Sequence, residues 1–156
     1  MKKLFSSIIP VVLVGMIVAT DTAGGISISV SDGTVEYGQV AVGASVSTLS
    51  PNDMQIATNN GDVAEKFSIK GQDSANWTLE SAIGVNQYTH GFCVWTTEGD
   101  CDEAGNFTPL TTDYATLAAN VAINGAVNFH LQITAPNPNT VVDHQHVDVT
   151  ILAVEA

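Results

Sequence analysis

The sequence predicts an all-β fold, a sandwich of seven to nine short strands, on three observations. Apolar and polar residues alternate with a period of two in several separate runs, turn residues fall between those runs, and no long helical pattern follows residue 23. Ile26, Ile28 and Val30 alternate with Ser27 and Ser29, and Phe67 and Ile69 with Ser68 and Lys70. Val127, Phe129, Leu131 and Ile133 alternate with Asn128, His130 and Gln132. Val147, Val149, Ile151 and Ala153 alternate with His146, Asp148, Thr150 and Leu152. Each pattern puts one face on a core and the other in water.

Ser31-Asp32-Gly33, Asn59-Asn60-Gly61-Asp62, Gly71-Gln72-Asp73-Ser74, Asn124-Gly125 and Ala135-Pro136-Asn137-Pro138-Asn139 supply the turns. The expected strands are 26–30, 34–42, 45–49, 54–58, 64–70, 76–81, 88–95, 127–133 and 145–154. Residues 110–122 are ambiguous. Leu110, Tyr114, Leu117 and Val121 fit the stripe of a short helix, and an irregular crossover between sheets is the rival.

The N-terminus stands apart in charge. Lys2 and Lys3 precede an apolar stretch, Ile8 to Ala19, that is interrupted by Pro10 and Gly15 and contains no acid. Basic end, apolar run and small residues are the parts of a secretory signal. Cleavage after Ala19 places Ile17 and Ala19 at the recognition positions, and cleavage after Ala23 is the poorer alternative. The run is shorter than the roughly 20 residues a membrane helix needs, so contact with a membrane is expected only through an uncleaved N-terminal segment. Residues 24–156 then form a single domain, secreted or at the cell surface.

All sixteen acids lie after residue 20, against Lys66 and Lys70 alone, and the whole chain carries −12. With no basic patch to displace counterions from phosphates, this balance argues against nucleic-acid binding and against docking on anionic lipid. The two cysteines, Cys93 and Cys101, are expected to pair in an oxidising compartment, where so short a loop adds roughly 2.5 kcal/mol.

Two clusters are candidates for metal chemistry, and no cofactor beyond a divalent metal is suggested. His144 and His146 share a strand face. A hairpin across residues 134–143 would bring His130 and Asp148 beside them, a set suited to zinc or copper, against the plainer reading of a polar outer face. Asp100, Asp102 and Glu103 offer oxygen ligands for calcium, without the spacing of a calcium hand, and an exposed acidic loop is the plainer reading. His90 reads as structural. Asn76-Trp77-Thr78 and Asn106-Phe107-Thr108 fit the N-glycosylation pattern, with Asn106 the better placed. No nucleophile elbow, phosphate loop or zinc-protease helix occurs, so the chain is not expected to be an enzyme.

Tyr37-Gly38-Gln39-Val40-Ala41-Val42-Gly43 resembles the aromatic-Gly-x-Val-x-Val-Gly run of prokaryotic immunoglobulin-like surface domains, and Ala57-Thr58-Asn59-Asn60-Gly61 is similar to the Thr-Asn-x-Gly turn one strand later. Phe67 to Gly71 and Trp77 to Leu79 continue the likeness, whose general plan is that of camelysin-like fibre proteins. The resemblance covers residues 25–155. It implies an immunoglobulin-like sandwich serving as a surface, adhesive or fibre module, and it carries over no catalytic residue. The expected function is a structural subunit of a filament or surface layer, with copies of itself as partners joined by strand pairing. Ile26, Ile28 and Val30, behind two glycines, are the candidate donor strand. The alternative is a metal-dependent adhesive or ligand-binding module.

Overall fold

The structure is a computed structural model that describes residues 8–14, 16–17, 25–31, 33–50, 52–102, 104–141 and 143–156. The strands are β1 (Ile8–Val14), β2 (Met16–Ile17), β3 (Ile28–Val30), β4 (Thr34–Ala41), β5 (Ser45–Ser47), β6 (Gln55–Asn59), β7 (Glu65–Gly71), β8 (Thr78–Leu79), β9 (Gln87–Trp95), β10 (Thr108–Pro109), β11 (Ala115–Val121), β12 (Ala126–Thr134), β13 (Gln145–Val147) and β14 (Val149–Glu155). Among the described residues there is no α-helix, only a 3-10 turn over Ala104–Asn106. The fold is all-β with packed sheets.

One sheet runs β10-β9-β12-β6-β3, with β5 also on β12 and β8 also on β9. Its centre is the antiparallel pair β9–β12, in which Phe129 faces Val94 and Leu131 faces Phe92. Opposite it lie β11-β7-β14-β2 and β13-β1-β4. Asp148 alone separates β13 from β14, so these two smaller sheets follow one another. The alternation seen in the sequence sets the inner faces. Phe67, Ile69, Phe129, Leu131, Ile133, Val147, Ile151 and Ala153 are all at most 4% exposed and belong to one core cluster with Trp77 and Tyr88.

Within β4, Val35, Tyr37 and Val40 all pack with the core although they do not share one parity. Gly38 has φ +67, and the register with β1 shifts between Val11 and Val12, opposite it. That is a β-bulge with glycine in the left-handed region, which inserts one residue and restores the inward phase.

Two expectations need correction. Residues 115–121 are neither helix nor crossover but the edge strand β11, antiparallel to β7 with two register shifts. The spacing of Leu117 and Val121, both 5% exposed, serves alternate strand positions as well as a helical stripe, while Tyr114 lies outside at 43%. The hairpin between 127–133 and 145–154 does not form. β12 pairs with β5, β6 and β9, whereas β13 pairs with β1, so residues 135–144 cross between sheets.

Candidate functional site

The most distinctive place in the molecule is a slot one strand wide. β4 has β1 as its only strand partner among the described residues, and so does β13. β1 runs antiparallel to β4 over Ile8↔Ala41 to Val14↔Thr34, and parallel to β13 over Val11↔Gln145 to Leu13↔Val147. β2 continues along β14, pairing Met16 with Thr150 and Ile17 with Ile151. The register sets Ile9 opposite Val40, and Leu13 opposite both Val35 and Val147. Those three valines are at most 2% exposed. Backbone donors and acceptors on both walls are therefore met by one extended strand, and the residues beside them on β4 and β13 include buried valines at alternate positions of that strand.

The segment that fills the slot is the one read as an export leader. Its sequence did carry a strand signal, since Ile8, Ile9, Val11, Val12 and Val14 are β-branched. That signal was subordinate to the charge and length pattern of a secretory signal.

The donor candidate sits elsewhere. β3 pairs antiparallel with β6 at the edge of the larger sheet, through Ile28↔Asn59, Ser29↔Thr58 and Val30↔Ala57. Its flanks are fastened too. The Ser27 amide donates to Glu65 Oε1 at 2.8 Å, Ser31 N–H donates to the Ile56 carbonyl at 2.9 Å, and Asn60 N–H donates to the Ser27 carbonyl at 2.7 Å. Glu65 is fully buried, and its Oε2 has no partner among the described residues. Ile28 is 8% exposed, with Ile26 and Val30 packed on the same core.

The histidine set is divided. His130 is buried, contrary to its expected exposure. Its face of the sheet is the outer one, but Cys93, Cys101, Phe107, Leu49 and Trp95 form a second apolar cluster over it. Trp95 meets the His130 ring edge-on at 5.1 Å, and His130 Nδ1 lies 2.9 Å from Thr48 Oγ1. Desolvation lowers its pKa, against the partly compensating Thr48 contact. His144 and His146 are exposed next to and on β13, and Asp148 accepts a 2.7 Å hydrogen bond from Gln72 Nε2. Among the described residues, no three His, Cys, Asp or Glu side chains are arranged to hold a metal.

In the acidic loop, Cys93 and Cys101 form a disulfide with Cα atoms 5.8 Å apart. Such a bond suits an oxidising compartment. The Asp100 carboxylate accepts from the hydroxyls and amides of Thr96 and Thr97 at 2.6–2.9 Å. These bonds, the Thr96 hydroxyl first, lower its pKa. Asp102 is exposed, and Glu103 lies outside the described residues. The carboxylate of Asp100 thus closes its own turn. Asn76 and Asn106 are both exposed. Asn106 Nδ2 donates to the Asp100 carbonyl at 2.8 Å, and Asn76 Nδ2 lies 3.4 Å from Gln145 Oε1.

A buried polar pair escaped the sequence reading. Tyr37 Oη lies 3.0 Å from His90 Nε2 between the sheets, and His90 Nδ1 is buried with no partner among the described residues. Burial lowers the His90 pKa to about 3 and raises that of Tyr37. Only the packing of β4 over β9 from a different sheet brings them together, and no sequence spacing encodes that. No family model matches this chain, and no curated protein does either.

Proposed function

We propose that this chain is an exported, non-enzymatic structural subunit, an immunoglobulin-like sandwich that builds a filament or surface layer by pairing strands between copies. The observation that carries the reading is the slot between β4 and β13–β14, whose strand partners are residues with the character of a removable leader. Removing residues 1–19 would leave two facing rows of backbone groups unpaired beside buried valines. Such a gap invites a strand from another copy.

The donor in this reading is the segment Gly24 to Val30. Ile26, Ile28 and Val30 repeat the two-residue spacing of Ile9, Val11 and Leu13. At home this segment has one neighbour and three register positions. In the slot it would have two neighbours, one of which offers seven positions. The backbone is ordered in either place, so conformational entropy differs little and the number of partners decides. At about 1 kcal/mol net per hydrogen bond the slot outweighs the home ladder, but the bonds at Ser27 and Ser31 must be broken to reach it. An isolated chain therefore keeps β3 at home, and exchange belongs to the assembled state.

Electron microscopy of the protein lacking residues 1–19, across a concentration series, tests the assembly. Filaments or sheets are expected, and monomers at every concentration would overturn the reading. A Ser29→Cys/Thr58→Cys pair tests the donor, because these register partners would lock β3 at home. Assembly should stop on oxidation and return with mild reductant, which acts slowly on the buried Cys93–Cys101 bond. Filaments from the locked protein would assign the donor to another segment.

A further inference from the structure

The slot and the leader meet in one chain, and that meeting has a consequence for when the subunit can associate. β1 covers all seven positions from Thr34 to Ala41 that its register reaches, and the three positions of β13, while β2 covers Thr150 and Ile151 of β14. Nothing else among the described residues pairs with β4 or β13. The place a second copy's strand would take is therefore already held, by residues on the same chain.

We propose that Ile8–Val14 and Met16–Ile17 are an intramolecular plug, which keeps the unprocessed chain from associating until the leader is removed. This rests on the strand-pairing reading above and adds to it a control step and the identity of the competitor. A short tether holds the plug at an effective concentration on the order of millimolar. A second copy at micromolar concentration competes at a disadvantage of about a thousandfold, before its own home bonds are counted. The plug also pairs on both sides at once, and its ladder with β4 resumes beyond the one-residue register shift at the Gly38 bulge. Cutting between the plug and Gly25 abolishes the tether. The plug then competes only at its own bulk concentration, and a neighbour's strand, which brings a whole subunit's further contacts with it, takes the slot.

The test uses the full chain with a specific-protease site replacing residues 18–23, so that folding precedes cutting. Before cutting, the protein should sediment as a monomer, with the amides of Thr34–Ala41 protected from hydrogen exchange. After cutting and removal of the released peptide, polymers should appear at a concentration at least tenfold below any at which the uncut chain polymerises. A synthetic peptide of residues 6–19 with a solubilising lysine tail, added in excess, should suppress the polymers and restore protection over Thr34–Ala41. Equal polymerisation of cut and uncut protein would refute the plug and leave the assembly reading standing. Polymers that persist while the peptide gives no protection would refute it as well. Polymers from neither form would remove the assembly reading and the plug together. Protection of the β9 and β12 amides in all samples shows that the larger sheet stayed folded, which separates loss of assembly from loss of structure.

Discussion

The two faces of this sandwich are built to different degrees of self-sufficiency. The larger sheet is held by strands drawn from residues 28–134, with the β9–β12 pair in register over seven positions from Asn128↔Trp95 to Thr134↔Thr89. The facing side has a comparable centre in β7–β14, paired over seven positions, but it reaches β4 only through β1. One face is complete without the first seventeen residues, and the other is not. An intact core thus coexists with a face whose β4 and β13 edges are joined only through the N-terminal strand β1.

The largest single-site effect should come from the complete side. Phe129→Ala removes a side chain that is 1% exposed at the centre of β12, and should cost about 3–5 kcal/mol, read by denaturant unfolding. That cost should be the same with or without residues 1–19. A marked dependence on the leader would break the contrast between the two faces.

Acidification should come next. In the folded chain His90 takes up its proton only near pH 3, whereas unfolded it does so near 6.5. The unfolded state therefore binds more protons between those values, so stability is full above about pH 6.5 and falls as pH drops toward 3. The loss should amount to a few kcal/mol, and the lowered pKa of His130 acts in the same direction. His90→Leu should flatten part of this profile. An unchanged profile would mean that other groups set the acid limit.

Opening the disulfide with Cys93→Ser/Cys101→Ser should cost roughly 2.5 kcal/mol from the short loop. It should also loosen the cover over His130, since Cys93 and Cys101 belong to the outer cluster that includes Trp95. Trp95 fluorescence would report the loosening.

The smallest effect sharpens the comparison most. Gly38→Ala places a side chain at φ +67 with nothing within 4 Å of the added Cβ, so its cost of about 1 kcal/mol is backbone strain alone. The bulge is defined by pairing with β1. The penalty should therefore shrink in protein lacking residues 1–19, where β4 can relax. An equal penalty in both forms would show that β4 holds its bulge unaided.

The alternating runs were legible because burial on one face writes a two-residue period directly into the chain. Phe67, Ile69, Leu131 and Ile133 all face inward as their alternation requires. The disulfide was legible from there being just two cysteines, eight residues apart, behind an N-terminus with the pattern of an export signal. His130 was not, because alternation gives the face of a strand but says nothing of what covers that face. Here the loop closed by Cys101 and the side chain of Trp95 cover it. β11 was not legible either, since an edge strand with two register shifts has no clean period.

The class of fold, the inward phase of the central strands, the crosslink and the acidic composition are written locally in the chain. Each of these follows from local chemistry: side-chain polarity, turn residues, charge. The tertiary structure alone decided that 127–133 and 145–154 lie in different sheets, that Tyr37 meets His90, and that a stretch with the marks of a leader fills a place between β4 and β13. Those are pairings between residues far apart in the chain, chosen by which unpaired backbone edges and apolar faces can be satisfied together, and no local pattern specifies that choice.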